Sequence, residues 1–213
     1  MFIVFEGIDG AGTTTASRSL ANRIQKELGI KTYWTKEPTD KCIGVLIRNI
    51  LIGNDEVHKK ALLHLFCADR HDHIENCIKP HLCNNEVVIT DRYVFSTWVY
   101  QQLHVDRKEV EAAIGQIFKP DMVFLFDIDP TKSMERVLKR GKREMFEYMH
   151  FLKNARQSYW KSISPDVMHR LFNASSSIRV EVIDGLKLIE EVAEEVFVKT
   201  KDEIGKRFGS CPE

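Results

Sequence analysis

The stretch that decides the fold is "GIDGAGTTT", Gly7 to Thr15. It follows the apolar run "FIVFE" (2–6) and opens "TTTASRSLANRIQKELG" (13–29), in which Leu20, Ile24 and Leu28 share one face and Gly29 stops the helix. A strand, a glycine-rich turn and a helix N-terminus in that order make a phosphate cradle. Glycines let successive N–H groups turn inward, and the helix end contributes about half a positive charge. Residues 7–14 match G-x-x-x-x-G-K-[ST] everywhere except at the lysine, where Thr13 stands. Gly7, Gly10, Ala11, Gly12, Thr13, Thr14 and Thr15 are therefore the expected ATP-phosphate residues, with the Thr14 hydroxyl directed at Mg²⁺. Thr13 can donate one hydrogen bond but carries no charge. Losing one aligned donor of this kind costs about 3–4 kcal/mol, or about 10²–10³ in rate.

Outward from the loop, short apolar strands alternate with helices. "KTYWTKE" (31–37), "EVVITD" (86–91), "DMVFLFDI" (121–128) and "IRVEVIDG" (178–185) read as strands. Helices are expected over 42–53, 57–82, 94–116 with a break near Val105-Asp106, 130–140, 144–163 and 188–204. The pattern predicts one α/β domain over 1–213, with a doubly wound parallel five-stranded sheet, helices on both faces and a frayed tail over 205–213. Ligands of such sheets sit at the carboxyl ends of the strands. Asp9, Glu37 and Asp91 each follow a strand, so the topology gathers them at one edge and suggests an enzyme.

Composition narrows the class. Lys plus Arg and Asp plus Glu both number 31 in 213 residues, so the net charge is zero. That balance argues against a nucleic-acid-coating protein, while leaving room for a small phosphorylated substrate held by a few arginines. Five dispersed cysteines without a CxxC pair suggest reduced thiols, and with no signal peptide or apolar run of about 18 residues the expectation is a cytoplasmic protein with no membrane partner. "CADRHDHIENCIKPHLC" (67–83) holds three Cys and three His. A metal site there is the weaker reading, because zinc-finger spacing is absent and the stretch is needed for a helix.

Several pairs carry chemistry of their own. Asp91-Arg92 ends a central strand, where a carboxylate can hold Mg²⁺ and an arginine can clamp a phosphate; a structural ion pair is the plain alternative. Phe66 and Arg70 lie four apart and project from one helix face, suited to stacking on a base and donating to its carbonyl. Thr97, Tyr100 and Gln101 fall near one face of the following helix, though Tyr100 also suits a core. "KRGKREMFE" (139–147) is a glycine-hinged basic segment able to close as a lid, or else a solvated charged face.

Taken with "FEGIDGAGTTT", the segments "KEPT" (36–39), "FCADR" (66–70), "DRYVFSTWVYQ" (91–101), "KPDMVFLFDIDP" (119–130) and "MFE" (145–147) resemble thymidylate kinase, in order from residue 2 to about residue 200. The DRY-x-x-S-T-x-x-Y-Q segment is the most specific, since general phosphate-loop proteins lack it. The resemblance implies a nucleoside monophosphate kinase fold that moves the γ-phosphoryl of ATP to dTMP with Mg²⁺, giving dTDP and ADP, in a homodimer. It implies that Asp9, Asp91 and Arg92 act at the reacting phosphates, with Lys142 and Arg143 from the lid, and that Thr14 and Asp91 hold the metal. It further implies dTMP contacts from Asp9, Glu37, Arg48, Phe66, Arg70, Arg92, Thr97, Tyr100 and Gln101: Phe66 stacks on thymine, Arg70 reaches O4, and Tyr100 packs on the deoxyribose. Arg136 is assigned to adenine. Two departures stand out: the usual glycine pair after "KEP" is absent, and Met145 holds the place of a lid arginine. Lys142, Arg143 or Arg140 is expected to fill the position beside Thr13. The competing readings are a nucleotide-binding homologue that has lost transfer and a kinase for another pyrimidine nucleotide.

Overall fold

β1 (Phe2–Gly7) is buried along its whole length, as its apolar sequence requires. In the computed structural model, which describes residues 1–139, 149–172 and 178–208, this strand sits at the centre of a five-stranded sheet. Its neighbours are β3 (Val87–Asp91) and β4 (Met122–Asp127), with β2 (Thr32–Lys36) and β5 (Arg179–Asp184) at the edges, and every pairing is parallel. The doubly wound α/β expectation holds.

α1 (Thr13–Glu27) and α10 (Ile189–Phe208) pack together on one face. α3 (Lys59–His73), a π-helical turn (Ile74–Ile78), α4 (Lys79–Cys83) and α5 (Val94–Gln101) lie across the other. β2 shows the alternation directly: Trp34 donates to Ser17 of α1, while Thr35 bonds His73 of α3. The chain leaves β1 for α1 on one face and leaves β3 for α5 on the other. Adjacent strands whose connections diverge in this way open a crevice at their carboxyl ends.

Element boundaries differ from expectation where a local signal was weak. The 57–82 helix passes Pro80 through the π-helical turn, because proline has no N–H for the ladder. The 94–116 segment breaks where expected, near Val105-Asp106, into α5 and α6 (Arg107–Ile114), with Asp106 capping the second helix by accepting from the Lys108 N–H. α2 (Cys42–Leu51) and α7 (Pro130–Lys139) follow the expected spans closely. α8 (Met149–Ser162) is followed by α9 (Pro165–Phe172), which the sequence reading passed over. α10 continues through Phe208, so residues 205–208 are helix and not tail. Within the expected lid, Lys139 ends α7, whereas Arg140, Lys142, Arg143 and the rest of 140–147 lie outside the described residues.

Candidate active site

The Gly7–Thr14 turn is shaped by its glycines. Gly12 has φ of 105° and caps α1, and Gly10 has φ of 80°, a left-handed geometry that disfavours any side chain. A Cβ on Gly10 would stand 2.7 Å from the Ser133 carbonyl, so the loop is seated directly against α7. The Ala11 N–H closes the turn on the Ile8 carbonyl at 3.1 Å, and Ser133 Oγ donates to the Asp9 carbonyl.

Asp91 and Arg92 end β3 beside this loop, in register with Phe5 of β1. Thr14 Oγ1 donates to Asp91 Oδ2, while Asp91 Oδ1 is buried without a hydrogen-bond partner. A hydroxyl and a carboxylate sharing one corner, with an oxygen to spare, is an oxygen donor set that suits Mg²⁺. Arg92 is held at φ of 75°, uncommon for a non-glycine residue. Its guanidinium pairs with Asp9 and donates to the Gly7 carbonyl at 3.1 Å, Ser96 Oγ at 3.1 Å and Tyr159 OH at 3.2 Å.

Those two hydroxyls pass the connection inward. Ser96 Oγ and Tyr159 OH donate to Glu6 Oε2 at 2.7 and 3.1 Å, and the Tyr93 N–H donates to Glu6 Oε1 at 2.7 Å. Glu6 is fully buried, and burial pushes its carboxyl up to about 7 against the pull of Ser96, Arg92 and the Tyr93 N–H. It thus braces Arg92 from beneath. The sequence reading missed Glu6, Ser96 and Tyr159 in this role; an acid inside an apolar strand was the available signal.

Glu37 follows β2 and is buried between two cations. It meets Arg70 at 2.8 Å and His73 Nδ1 at 3.0 Å. Burial pushes its carboxyl up, but Arg70 and His73 outweigh that and hold it below the ordinary range. Burial alone would lower His73, yet hydrogen bonds to Cys77 and Glu37 bring it up to about 9. The Arg70 Nη2 donates to Thr97 Oγ1 at 2.7 Å and to the Tyr93 carbonyl at 3.1 Å. Arg70 therefore orients Thr97 and Glu37, a positioning duty absent from the base-contact expectation. The turn after Glu37, which has no glycine pair, is tied down by side chains: the N–H and hydroxyl of Thr39 both donate to buried Asp69, at 2.8 and 2.6 Å.

These residues line three cavities set in a row. The central one is bordered by the loop, Lys36, Glu37, Arg48, Asp91 and Arg92. Asp9, Glu37 and Asp91 do converge there. Arg48 donates to the Pro38 carbonyl at 2.8 Å and meets Asp40 at 3.1 Å, which brings it to the site and not to an outer surface. Lys36 also lines this cavity, and the sequence reading gave it no role. A second cavity shares Asp9, Glu37 and Arg92 with the first and is walled by Phe66, Arg70, Thr97, Tyr100 and Gln101. The Gln101 side chain is buried there with neither its Nε2 nor its Oε1 hydrogen-bonded. The third shares Gly12 and Thr15 with the first and is lined by Ala11, Phe126, Arg136, Lys187, Ile189 and Val192. Arg136 is anchored there by a 3.4 Å bond to the Gly10 carbonyl.

A charged cleft flanked by two less polar ones is the layout needed to bring two nucleotides together by their phosphates. Comparison with known proteins agrees with it. The family model described as thymidylate kinase matches residues 5–195. A "Probable thymidylate kinase" of Methanocaldococcus jannaschii is 42% identical over 161 residues, 75% of this chain and 79% of that one. Another of Thermococcus onnurineus is 36% identical over 200 residues, covering 89% and 97%. A third of Methanococcus aeolicus is 37% identical over 202 residues, covering 94% and 96%. With the loop, the Asp91-Arg92 strand end and the three joined cavities, these matches establish that the chain belongs to the thymidylate kinase family.

Proposed function

We propose that this chain transfers the γ-phosphoryl of ATP to dTMP, giving dTDP and ADP. The observation that carries this reading is the Gln101 amide, buried with donor and acceptor both unpaired at the wall of the second cavity. Each unpaired buried polar group costs about 1–3 kcal/mol, a cost that a ligand edge carrying one donor and one acceptor offsets. Thymine presents such an edge, and Phe66 offers it a stacking surface. Thr97 adds a hydrogen bond from a hydroxyl fixed by Arg70, and Tyr100 packs on the deoxyribose where a 2′-hydroxyl would crowd.

ATP then spans the other two cavities. Its base lies by Arg136 and Lys187, and its phosphates lie on the N–H groups of Gly10, Ala11, Gly12, Thr13, Thr14 and Thr15. Thr14 and Asp91 would hold Mg²⁺, which would supply charge neutralisation for the phosphates. Arg92, braced by Ser96, Tyr159 and the Gly7 carbonyl, clamps the acceptor phosphate with Arg48, and Asp9 orients the sugar hydroxyl beside it. The basic residues Arg140, Lys142 and Arg143 of the expected lid lie outside the described residues, and the setting is a cytoplasmic homodimer.

Turnover of ATP with dTMP or dUMP in Mg²⁺, followed by ADP release, tests the assignment. The expected result is dTMP-dependent ADP release, with Gln101→Leu raising the KM for dTMP about 30-fold or more. Calorimetric binding of dTMP without any ADP release would leave a nucleotide-binding protein in place of a kinase, and preference for dUMP would move the acceptor.

A further inference from the structure

The loop lacks the ammonium that would stand between the β- and γ-phosphates, and Thr13 at that position is buried. The cations bordering the same cavity among the described residues are Lys36, Arg48 and Arg92. Arg92 is committed to Asp9, Gly7, Ser96 and Tyr159, and Arg48 to the Pro38 carbonyl. Lys36 differs from both. It closes β2 in parallel register with Asp91, so the two side chains leave the sheet on the same face. That face belongs to α1: Trp34, two residues earlier, donates to Ser17, and Asp91 accepts from Thr14. The Lys36 ammonium meets Asp40 at 3.0 Å, and Asp40 is 74% exposed. An ion pair this open to water is surrendered at little cost. Asp40 also keeps Arg48 at 3.1 Å when Lys36 departs.

We propose that Lys36, from the end of β2, supplies the positive charge at the transferring phosphate that the loop lacks at Thr13. The inference rests on the reading of the chain as a nucleotide kinase. In the step concerned, an oxygen of the acceptor phosphate forms a bond to the γ-phosphorus. The bond from that phosphorus to the β–γ bridging oxygen breaks, and its electron pair stays on ADP. With a dianionic acceptor no proton moves. Negative charge grows on the bridging oxygen, and an ammonium swung from Asp40 into the cavity stabilises it there.

Steady-state ADP release from ATP, dTMP and Mg²⁺ is measured for wild type, Lys36→Met, Lys36→Arg, Thr13→Lys, and Thr13→Lys combined with Lys36→Met. Thermal melts establish that each variant folds, and calorimetry gives ADP affinity. Lys36→Met is expected to lower kcat about 100-fold with ADP affinity within about threefold of wild type, and Lys36→Arg to retain more than about one tenth of kcat. In the Thr13→Lys background the same Lys36→Met change is expected to cost under about 10-fold. Equal losses in the two backgrounds, or a loss under about threefold in the wild-type background, overturns the proposal. If Thr13→Lys fails to fold, the Met and Arg variants decide: a kcat loss matched by an equal loss of ADP affinity, or shared by Lys36→Arg, overturns it. Wild type turning over a different monophosphate corrects the acceptor alone, and the Lys36 comparison is then made on that acceptor. Wild type with no turnover on any monophosphate overturns both readings.

Discussion

Glu6 is an acid inside a strand that is otherwise apolar, and its surroundings set a sign for the pH dependence of stability. Burial raises its carboxyl from 4.5 to about 7. The folded chain therefore holds this proton over a range in which the unfolded chain has released it. Stability falls as pH rises from about 4.5 through about 7, and this group adds no slope on either side. A shift of that size corresponds to roughly 3 kcal/mol at most. Thermal melts from pH 4.5 to 8 should show the decline in wild type and a shallower one in Glu6→Gln, whose amide does not titrate; parallel curves would sink the idea. The acid inside an apolar run is the one signal near residue 6, and it does not say which groups it meets. Its partners sit at 93, 96 and 159, brought together only by the sheet and by α8. Asp91, Arg92 and Phe66 were legible as candidates because each lies in a short motif whose residue types suit a phosphate or a base, whereas Gln101 was singled out through the family resemblance. Lys36 was hidden in plain view within "KEPT", since its value depends on which strand pairs with β2.

Among the elements, α2 is positioned by one glycine. A Cβ on Gly44 would fall 1.9 Å from the Thr39 carbonyl oxygen, so helix and turn touch backbone to backbone. That turn carries Pro38, whose carbonyl receives Arg48, and Asp40, which meets both Arg48 and Lys36. Gly44→Ala must push α2 outward. Overpacking of this kind costs about 1–3 kcal/mol, and here it also moves Arg48 away from the central cavity. The expected outcome is a lower melting temperature together with a KM for dTMP raised about 10-fold and a kcat changed much less; an unchanged KM in a folded variant would show that α2 sets stability alone. The absence of a glycine pair after "KEP" reads as a gap in the sequence, yet Asp69, thirty positions on, replaces it with two hydrogen bonds. α9 was missed for a different reason. Ser164 precedes Pro165, a placement that favours a helix start, but the eight-residue helix is too short for its apolar spacing to stand out.

At the scale of the whole molecule, strand composition specified a parallel sheet and its carboxyl-end site, but not the order β2-β3-β1-β4-β5. Order depends on pairing between segments far apart in the chain, such as Phe2 with Val88 and Met122 with Arg179. It nevertheless decides function, because placing β3 beside β1 brings Asp91 to Thr14 and opens the crevice between α1 and α5. The central cavity shares Gly12 and Thr15 with one neighbour and Asp9 and Arg92 with the other. A single molecule carrying adenosine and thymidine at the two ends of a polyphosphate should occupy all three at once. Linking the two ends turns the second contact into an intramolecular one, and gains of about 10²–10⁴ in affinity follow when the linker length fits. Calorimetry with linkers of four, five and six phosphates should therefore give one optimum length, bound at least about 100-fold more tightly than ADP or dTMP alone. Affinity no better than that of the separate nucleotides at every length would mean that the cavities are not filled together. Because Arg92 serves both the central and the second cavity, Arg92→Lys should remove most of the linked advantage while leaving ADP affinity nearly unchanged. Arg92 lines both cavities, so its forked guanidinium can donate to phosphates on either side, whereas an ammonium can serve only one.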